Sequence, residues 1–213
     1  MTNFSFAVLI SGNGSNLQAM IDAIKGNQIY GKICCVLSNK EDANGLQRAQ
    51  EVKIPTEVVS NKDFETREDF DTEMVRVLSI YNPDLVVLAG FMRILSPVFI
   101  NAFPGKILNI HPSLLPKYPG LNTHERVLES SDNIHGITVH FVDESLDGGP
   151  ICAQSSLEIT TRSVKQLKQQ IQKLEHELYP KVVSWFGEGL LRLTEGKVYF
   201  KNRELKIGEI NEK

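Results

Sequence analysis

Apolar residues fall along this chain in two alternating patterns, short continuous runs and spaced helical stripes. Phe6-Ala7-Val8-Leu9-Ile10 is a continuous run of strand length, the pattern of a parallel strand covered on both faces. A polar Gly-rich turn follows, and then Leu17, Met20, Ile21 and Ile24 recur at helical spacing. Ile33-Cys34-Cys35-Val36-Leu37 repeats the strand pattern, Leu46-Gln47-Arg48-Ala49 begins a second helix, and Thr56-Glu57-Val58-Val59 is a short third strand. Thr66-Arg67-Glu68-Asp69 carries a helix-capping signature, and Phe70, Met74 and Val77 form the apolar face behind it. Asn82-Pro83-Asp84 breaks that helix, and Leu85-Val86-Val87-Leu88-Ala89 is the clearest buried strand. Further on, Val164, Leu167, Ile171, Leu174 and Leu178 mark a long last helix that packs on the sheet.

Strand–helix alternation predicts an α/β fold with a doubly wound, mainly parallel sheet and a Rossmann-like N-terminal half. Residues 1–213 read as one domain, divided near residue 100 into two halves, 1–100 and 101–213. In such folds ligands bind beyond the carboxyl ends of the strands. Three features sit at such ends and are expected to converge: the loop after Ile10, Gly90 through Arg93, and the stretch from Asn109.

Composition narrows the class. The chain has 213 residues, 41% hydrophobic and 23% charged, with a net charge of −3, ordinary for a soluble globular protein. Lysines and arginines are scattered, so no nucleic-acid footprint is predicted. Met1-Thr2-Asn3-Phe4 does not open a signal peptide and no apolar segment is long enough for a membrane span. Three cysteines, two of them adjacent, fit a reducing compartment, with Cys35 a small core residue. The expected location is the cytoplasm.

The densest chemistry lies in Asn109-Ile110-His111-Pro112-Ser113-Leu114-Leu115-Pro116, after the run Lys106-Ile107-Leu108. Residues i and i+2 of a strand share a face, so Asn109 and His111 project together. An amide beside an imidazole suits stabilisation of a negative oxygen as a carbonyl becomes tetrahedral. The alternative is a strand-end pair that satisfies loop backbone groups. Pro112 and Pro116 force the exit into a loop.

Ser11-Gly12-Asn13-Gly14-Ser15-Asn16 joins the first strand to the first helix. Glycines admit a ligand close to the backbone, and N–H groups at a helix start attract phosphate. The spacing is neither the dinucleotide fingerprint nor a P-loop. A tight turn with Ser15 or Asn16 as helix cap is compatible with the phosphate reading. Asp143-Glu144-Ser145-Leu146-Asp147-Gly148-Gly149-Pro150 lies between two strand-like runs, 135–142 and 151–158. It is either a plain antiparallel connection with a solvated carboxylate or the means by which Asp147 reaches His111, favours its imidazolium and orients it. His124, His135, His140 and His176 lack metal-ligand spacing, so no metal is expected, and Gly-x-Ser-x-Gly is absent.

These residues resemble a known family. Residues 10–16, Val87 through Leu95, Asn109 through Gly120 and Leu146 through Pro150 look like the folate-dependent glycinamide ribonucleotide formyltransferases of purine synthesis, and the likeness extends to Tyr179-Pro180 and Ser184-Trp185-Phe186. The resemblance implies a formyltransferase fold and direct formyl transfer from 10-formyltetrahydrofolate, a co-substrate, to the glycyl amine of glycinamide ribonucleotide. It implies that Asn109 and His111 stabilise the oxyanion and that Asp147 holds and tunes His111. Gly14, Ser15 and Asn16 would hold the ribonucleotide phosphate, and Glu175 would contact the same substrate. Arg67, Met92, Arg93, Ile94, Leu95, Asn109 and the loop Asp143, Glu144, Ser145, Leu146, Asp147 would line the folate site. Partners are then small-molecule substrates, with no nucleic acid and no membrane, in a monomer or weak homodimer.

The family loop usually reads Gly-Leu-His-Thr-His, whereas here it is Gly120-Leu121-Asn122-Thr123-His124, and Asn122 is assigned no catalytic role. Competing readings are a methionyl-tRNA or nucleotide-sugar formyltransferase, a formyltetrahydrofolate hydrolase, and a folate- or nucleotide-binding module without turnover. The tRNA enzyme would carry a further C-terminal domain and a basic face. The hydrolase would carry an N-terminal regulatory domain ahead of the first strand.

Overall fold

The computed structural model describes residues 4–206 and 211–212. Residues 1–3 of the N-terminal reading therefore lie outside the described residues. The chain divides into two compact units, residues 1–108 and 109–213.

The first unit is a parallel α/β layer. Strands β1 (Ser5–Ile10), β2 (Lys32–Ser38), β3 (Thr56–Val58) and β4 (Leu85–Leu88) stand in the order β3-β2-β1-β4, all parallel. Phe6 through Ile10 are all fully buried, which is why β1 shows no alternation: both of its faces are covered. Helices α1 (Ser15–Lys25), α2 (Asn44–Glu51), α3 (Arg67–Tyr81) and α4 (Pro97–Ala102) make the connections. Thr66 caps α3 as its sequence predicts, its Oγ1 accepting from Asp69 N at 3.1 Å. Asn82 ends the helix in the left-handed conformation, φ 44°, one residue before Pro83.

The start of α1 differs from expectation. Its N-cap is Gly14, with no side-chain cap, rather than Ser15 or Asn16. Gly14 has φ 72°, and a Cβ there would lie 2.7 Å from Gly45 Cα on α2. The turn is set by backbone conformation and close helix–helix approach, which only glycine permits.

The second unit opens with the Asn109–His111 end of β5 (Ile107–His111) and continues through α5 (Thr123–Glu129). Strands β6 (Ile134–Phe141) and β7 (Ile151–Glu158) form the predicted antiparallel pair, with Ile134 opposite Glu158. β5 hydrogen-bonds to β6. Helix α6 (Val164–Gly187) lies against both β6 and β7. Of its predicted stripe, Leu167, Ile171 and Leu178 are buried and Val164 and Leu174 half-buried. Each fully buried leucine or isoleucine contributes about 1.5–3 kcal/mol relative to an exposed one, so this stripe anchors the helix. Strands β8 (Leu191–Thr194), β9 (Lys197–Phe200) and β10 (Arg203–Glu204) form a small antiparallel sheet, with Trp185 of α6 against Phe200 at 4.9 Å between ring centroids.

The β6–β7 connection is tighter than an ordinary loop. Phe141 N donates to Pro150 O at 2.9 Å, and a Cβ on Gly149 would fall 2.0 Å from Phe141 O. Asp147 adopts φ 52°, a conformation that costs a non-glycine residue roughly 1–2 kcal/mol. The turn thus presents a carboxylate where the local backbone alone would favour glycine.

Candidate active site

In the first unit, two of the three strand-end features come together. Ser11, after β1, accepts a hydrogen bond from Met92 N at 2.8 Å and donates to Asn39 Oδ1 at 2.6 Å. Asn39 Nδ2 passes the chain on to Asn61 Oδ1 at 3.1 Å. One buried hydroxyl therefore ties the glycine loop to the loop after β4.

The glycine loop is also clamped from α2. Arg48 donates from Nε to Asn13 O and from Nη2 to Asn13 Oδ1, both at 2.8 Å, and from Nη1 to Gln18 Oε1 at 3.3 Å. Gly45 N donates to Gly12 O at 3.0 Å. Gln18 N closes the first turn of α1 on Gly14 O at 2.9 Å. The N–H groups of Ser15 and Asn16 precede that bond, at the end of the helix where an anion is favoured. Arginine charge and helix polarity have the same sign at this loop.

Of the first-unit residues assigned to folate, Met92, Arg93 and Ile94 are exposed, whereas Leu95 is buried. Arg93 stacks its guanidinium 5.8 Å from the Phe70 ring centroid. Arg67 opens α3 and pairs with Glu68 at 3.3 Å. Ser96 N donates to the buried Asp71 at 2.5 Å, which anchors the far end of this loop to α3. Burial pushes the Asp71 carboxyl above its ordinary range, partly offset by its bonds to Ser96.

In the second unit, His111 and Asp147 meet. His111 Nδ1 lies 3.4 Å from Asp147 Oδ2, and both side chains are largely buried. The other ring nitrogen, Nε2, lies 2.9 Å from Tyr118 O. A carbonyl only accepts, so Nε2 carries the hydrogen. Asp147 Oδ2 also accepts from Gly120 N at 2.8 Å, and that bond fixes the carboxylate.

Asn109 Nδ2 lies 3.1 Å from His140 Nε2, and His140 Nδ1 lies 2.9 Å from Phe141 O. The carbonyl fixes the hydrogen of His140 on Nδ1, so its Nε2 accepts and Asn109 donates. Burial pushes the His140 pKa down, which keeps the ring neutral and able to accept. The Asn109 amide is thereby oriented with nitrogen towards His140. Asn109 and His111 do not aim their first hydrogen bonds at one spot, as the i/i+2 pattern suggested; each is held by a protein partner first.

The rest of the Asp147 loop is open to solvent. Asp143, Glu144, Ser145 and Leu146 are exposed, and Asp143 Oδ1 accepts from Ser145 N at 2.9 Å and from the Ser145 hydroxyl. Glu175 is half-buried on α6.

Comparison with known proteins identifies the family. The family model described as formyl transferase matches residues 4–183. The chain belongs to the formyl transferase family. It is 48% identical over 202 residues to the phosphoribosylglycinamide formyltransferase of Escherichia coli (strain K12), covering 94% of this chain and 95% of that protein. It is likewise 48% identical over 208 residues to the enzyme of that name from Haemophilus influenzae, covering 97% and 98%. The phosphoribosylglycinamide formyltransferase of Coxiella burnetii, solved in complex with CHES, superposes with a TM-score of 0.93 at 44% identity, over 98% of each chain.

Several features of this formyl transferase escape sequence reasoning. His124 Nδ1 lies 3.0 Å from His135 Nε2, the rings perpendicular. Burial pushes His135 down to about 4 and also lowers His124, so this pair shares one hydrogen as neutral rings. Arg48 and Tyr118 are equally unmarked in sequence. Arg48 works from a helix 35 residues away, and Tyr118 works through a carbonyl that every residue type has. Cys35 is in the core, where burial pushes its thiol up to about 12. No helix among the described residues is long and apolar enough to cross a membrane.

Proposed function

We propose that this formyl transferase moves the formyl group of 10-formyltetrahydrofolate to the amine of glycinamide ribonucleotide in purine biosynthesis; its relatives' names supply the acceptor and the formyl transfer. The observation that carries the mechanism is the pair of acceptors around His111, Tyr118 O at Nε2 and Asp147 Oδ2 at Nδ1. An acceptor at each ring nitrogen suits the imidazolium, whose two N–H groups then both have partners.

The substrate amine attacks the formyl carbon, and the carbonyl π electrons move to oxygen. The attacking amine's proton passes through water to the His111–Asp147 pair, where the Asp147 carboxylate takes it. The His111 imidazolium keeps both N–H groups on acceptors, Tyr118 O and Asp147. Its charge and the second N–H of the Asn109 amide stabilise the oxyanion. Collapse then breaks the bond from the formyl carbon to the folate nitrogen, which takes the proton back from that pair through water. The enzyme forms no covalent intermediate.

Gly14, Ser15 and Asn16 hold the substrate phosphate, and Glu175 contacts the same molecule. Arg67, Met92, Arg93, Ile94, Leu95, Asn109 and the Asp143–Asp147 loop, with Glu144, Ser145 and Leu146, bind the folate. The exposure of Met92, Ile94 and Leu146 supports their assignment, since an apolar side chain left in water gains by covering a pteridine or aryl ring. Buried Leu95 contributes by shaping the loop. The protein works as a monomer or weak homodimer in the cytoplasm.

An assay with purified protein, 10-formyltetrahydrofolate and glycinamide ribonucleotide tests this reading, with the ribonucleotide omitted or replaced by methionyl-tRNA as controls. Tetrahydrofolate release that requires the ribonucleotide is the expected result. Release without an acceptor would make the protein a hydrolase, and release only with tRNA would change the acceptor.

A further inference from the structure

We infer that Ser11 is a positioning residue that couples the two substrate loops of the first unit: its hydroxyl fixes the folate loop, at Met92, to the start of the glycine loop. Each substrate is thereby bound more tightly when the other is present. The inference deepens the proposed function and rests on its assignment of the glycine loop to the ribonucleotide and of residues 92–95 to the folate.

Ser11 stands one residue beyond β1, and the folate loop follows β4, the strand beside it. A serine hydroxyl has one hydrogen to give, and here it is committed: Asn39 Oδ1 takes it at 2.6 Å. The Asn39 amide is itself fixed, because its Nδ2 donates to Asn61 Oδ1 at 3.1 Å. The lone pairs of Ser11 are left for Met92 N, at 2.8 Å. Asn39 follows β2 and Asn61 follows β3, so the chain Met92–Ser11–Asn39–Asn61 runs across the carboxyl ends of the neighbouring strands β4, β1, β2 and β3. Ser11 and Asn39 are both buried, away from the water that would compete for these bonds.

The folate loop needs this tie. Met92, Arg93 and Ile94 are exposed, and Gly90 ahead of them has φ 75° with no atom within 4 Å of where a Cβ would stand. Arg93 against Phe70 and Ser96 against Asp71 hold the loop to α3. Met92 N holds it to the glycine loop instead. That loop is fixed on its far side by Gly45 N on Gly12 O and by Arg48 on Asn13. A phosphate bound at Gly14 through Asn16 steadies the segment that begins at Ser11, and a steadied Ser11 steadies Met92. The folate then meets a loop already ordered and loses less freedom on binding. By linkage, a bound folate favours the ribonucleotide by the same factor.

The test compares full-length wild type, Ser11→Ala and Ser11→Cys by calorimetric titration with glycinamide ribonucleotide, with and without saturating tetrahydrofolate. Tetrahydrofolate fills the folate site and has no formyl group to transfer. The net worth of one hydrogen bond corresponds to roughly two- to tenfold in an equilibrium. Tetrahydrofolate should therefore tighten ribonucleotide binding in wild type by about three- to tenfold, and the ribonucleotide should do the same for tetrahydrofolate. Ser11→Ala should lose most of that factor while each ligand alone binds within about threefold of wild type, a split that a general loss of structure would not produce. Ser11→Cys keeps the shape of the side chain with a weaker acceptor, so its factor should fall in between, and it serves if the alanine variant does not fold. Hydrogen exchange at the Met92 amide of ¹⁵N-labelled protein is a second reading. The ribonucleotide alone should slow that exchange in wild type and not in Ser11→Ala. A coupling factor that is the same in wild type and variants, or absent in wild type, overturns the inference, as does a Met92 amide indifferent to the ribonucleotide. Each of these results leaves the proposed function standing where formyl transfer still requires the ribonucleotide. Wild type that binds no ribonucleotide defeats the proposed function and the inference with it.

Discussion

Asn109 donates to His140 across 31 positions of sequence, at 3.1 Å, and this contact decides which way the Asn109 amide faces. An asparagine side chain has nearly equal ends in shape and opposite ends in charge. The ring of His140, neutral and anchored on Phe141 O, selects the nitrogen.

Replacing His140 by leucine should release that choice. The amide then turns its oxygen towards the substrate for part of the time and repels the forming oxyanion. A single hydrogen bond is worth about 0.5–1.5 kcal/mol net, so kcat should fall roughly three- to tenfold with little change in substrate affinity. Steady-state kinetics on His140→Leu and His140→Gln check this, the glutamine retaining an acceptor and part of the rate.

The glycine loop makes a charge prediction. Ser15→Asp places a carboxylate at the helix end assigned to the phosphate, and affinity for the ribonucleotide should fall by about tenfold or more. Arg48→Gln removes the bonds to Asn13 and should raise the ribonucleotide KM by several-fold, more than the folate KM. Calorimetric titration with the ribonucleotide checks both. Unchanged affinity in Ser15→Asp would move the phosphate elsewhere.

The buried histidines make a pH prediction. Burial lowers His135 from 6.5 to about 4 and lowers His124 and His140 as well. The unfolded chain therefore binds more protons than the native one once pH drops below about 6.5. Stability is complete above that value, declines as pH falls towards 4, and is lost at up to about 1.4 kcal/mol per pH unit for each group. Asp71 has the opposite sign: its raised pKa favours the native state at the acid end and offsets part of the decline. Urea unfolding between pH 4 and 8 should show the slope, and His135→Gln should flatten it.

Gly149→Ala tests the turn that carries Asp147. Its Cβ would meet Phe141 O at 2.0 Å, so the β6–β7 connection must open. A destabilisation of about 1–3 kcal/mol is expected, with a loss of activity larger than the stability change explains. Chemical denaturation and kinetics on the same variant separate the two.

Much of this was legible in the sequence, for identifiable reasons. β1 and β4 are buried on both faces, so they appear as unbroken apolar runs, and α3 carries its own cap in Thr66. Asn109 and His111 stand out because a strand's period puts them together, and Asp147 because Asp-Gly marks a turn between two strands. The partners that orient them were not legible. His140 reaches Asn109 from a different strand, and its residue type alone does not distinguish a positioning ring from a core one. Tyr118 acts through its backbone, to which sequence is blind. The start of α1 was misplaced because Ser15 and Asn16 are good caps in isolation, whereas close approach to Gly45 favours a glycine turn at Gly14.

The measurement that bears most directly on the account is formyl transfer by His111→Ala beside its affinity for glycinamide ribonucleotide. If the His111 imidazolium stabilises the oxyanion, kcat falls by about a hundredfold or more while the dissociation constant stays within about threefold, since the lost interaction belongs to the transition state. Near-normal turnover in a folded variant would remove His111 from the chemistry and with it the mechanism argued above.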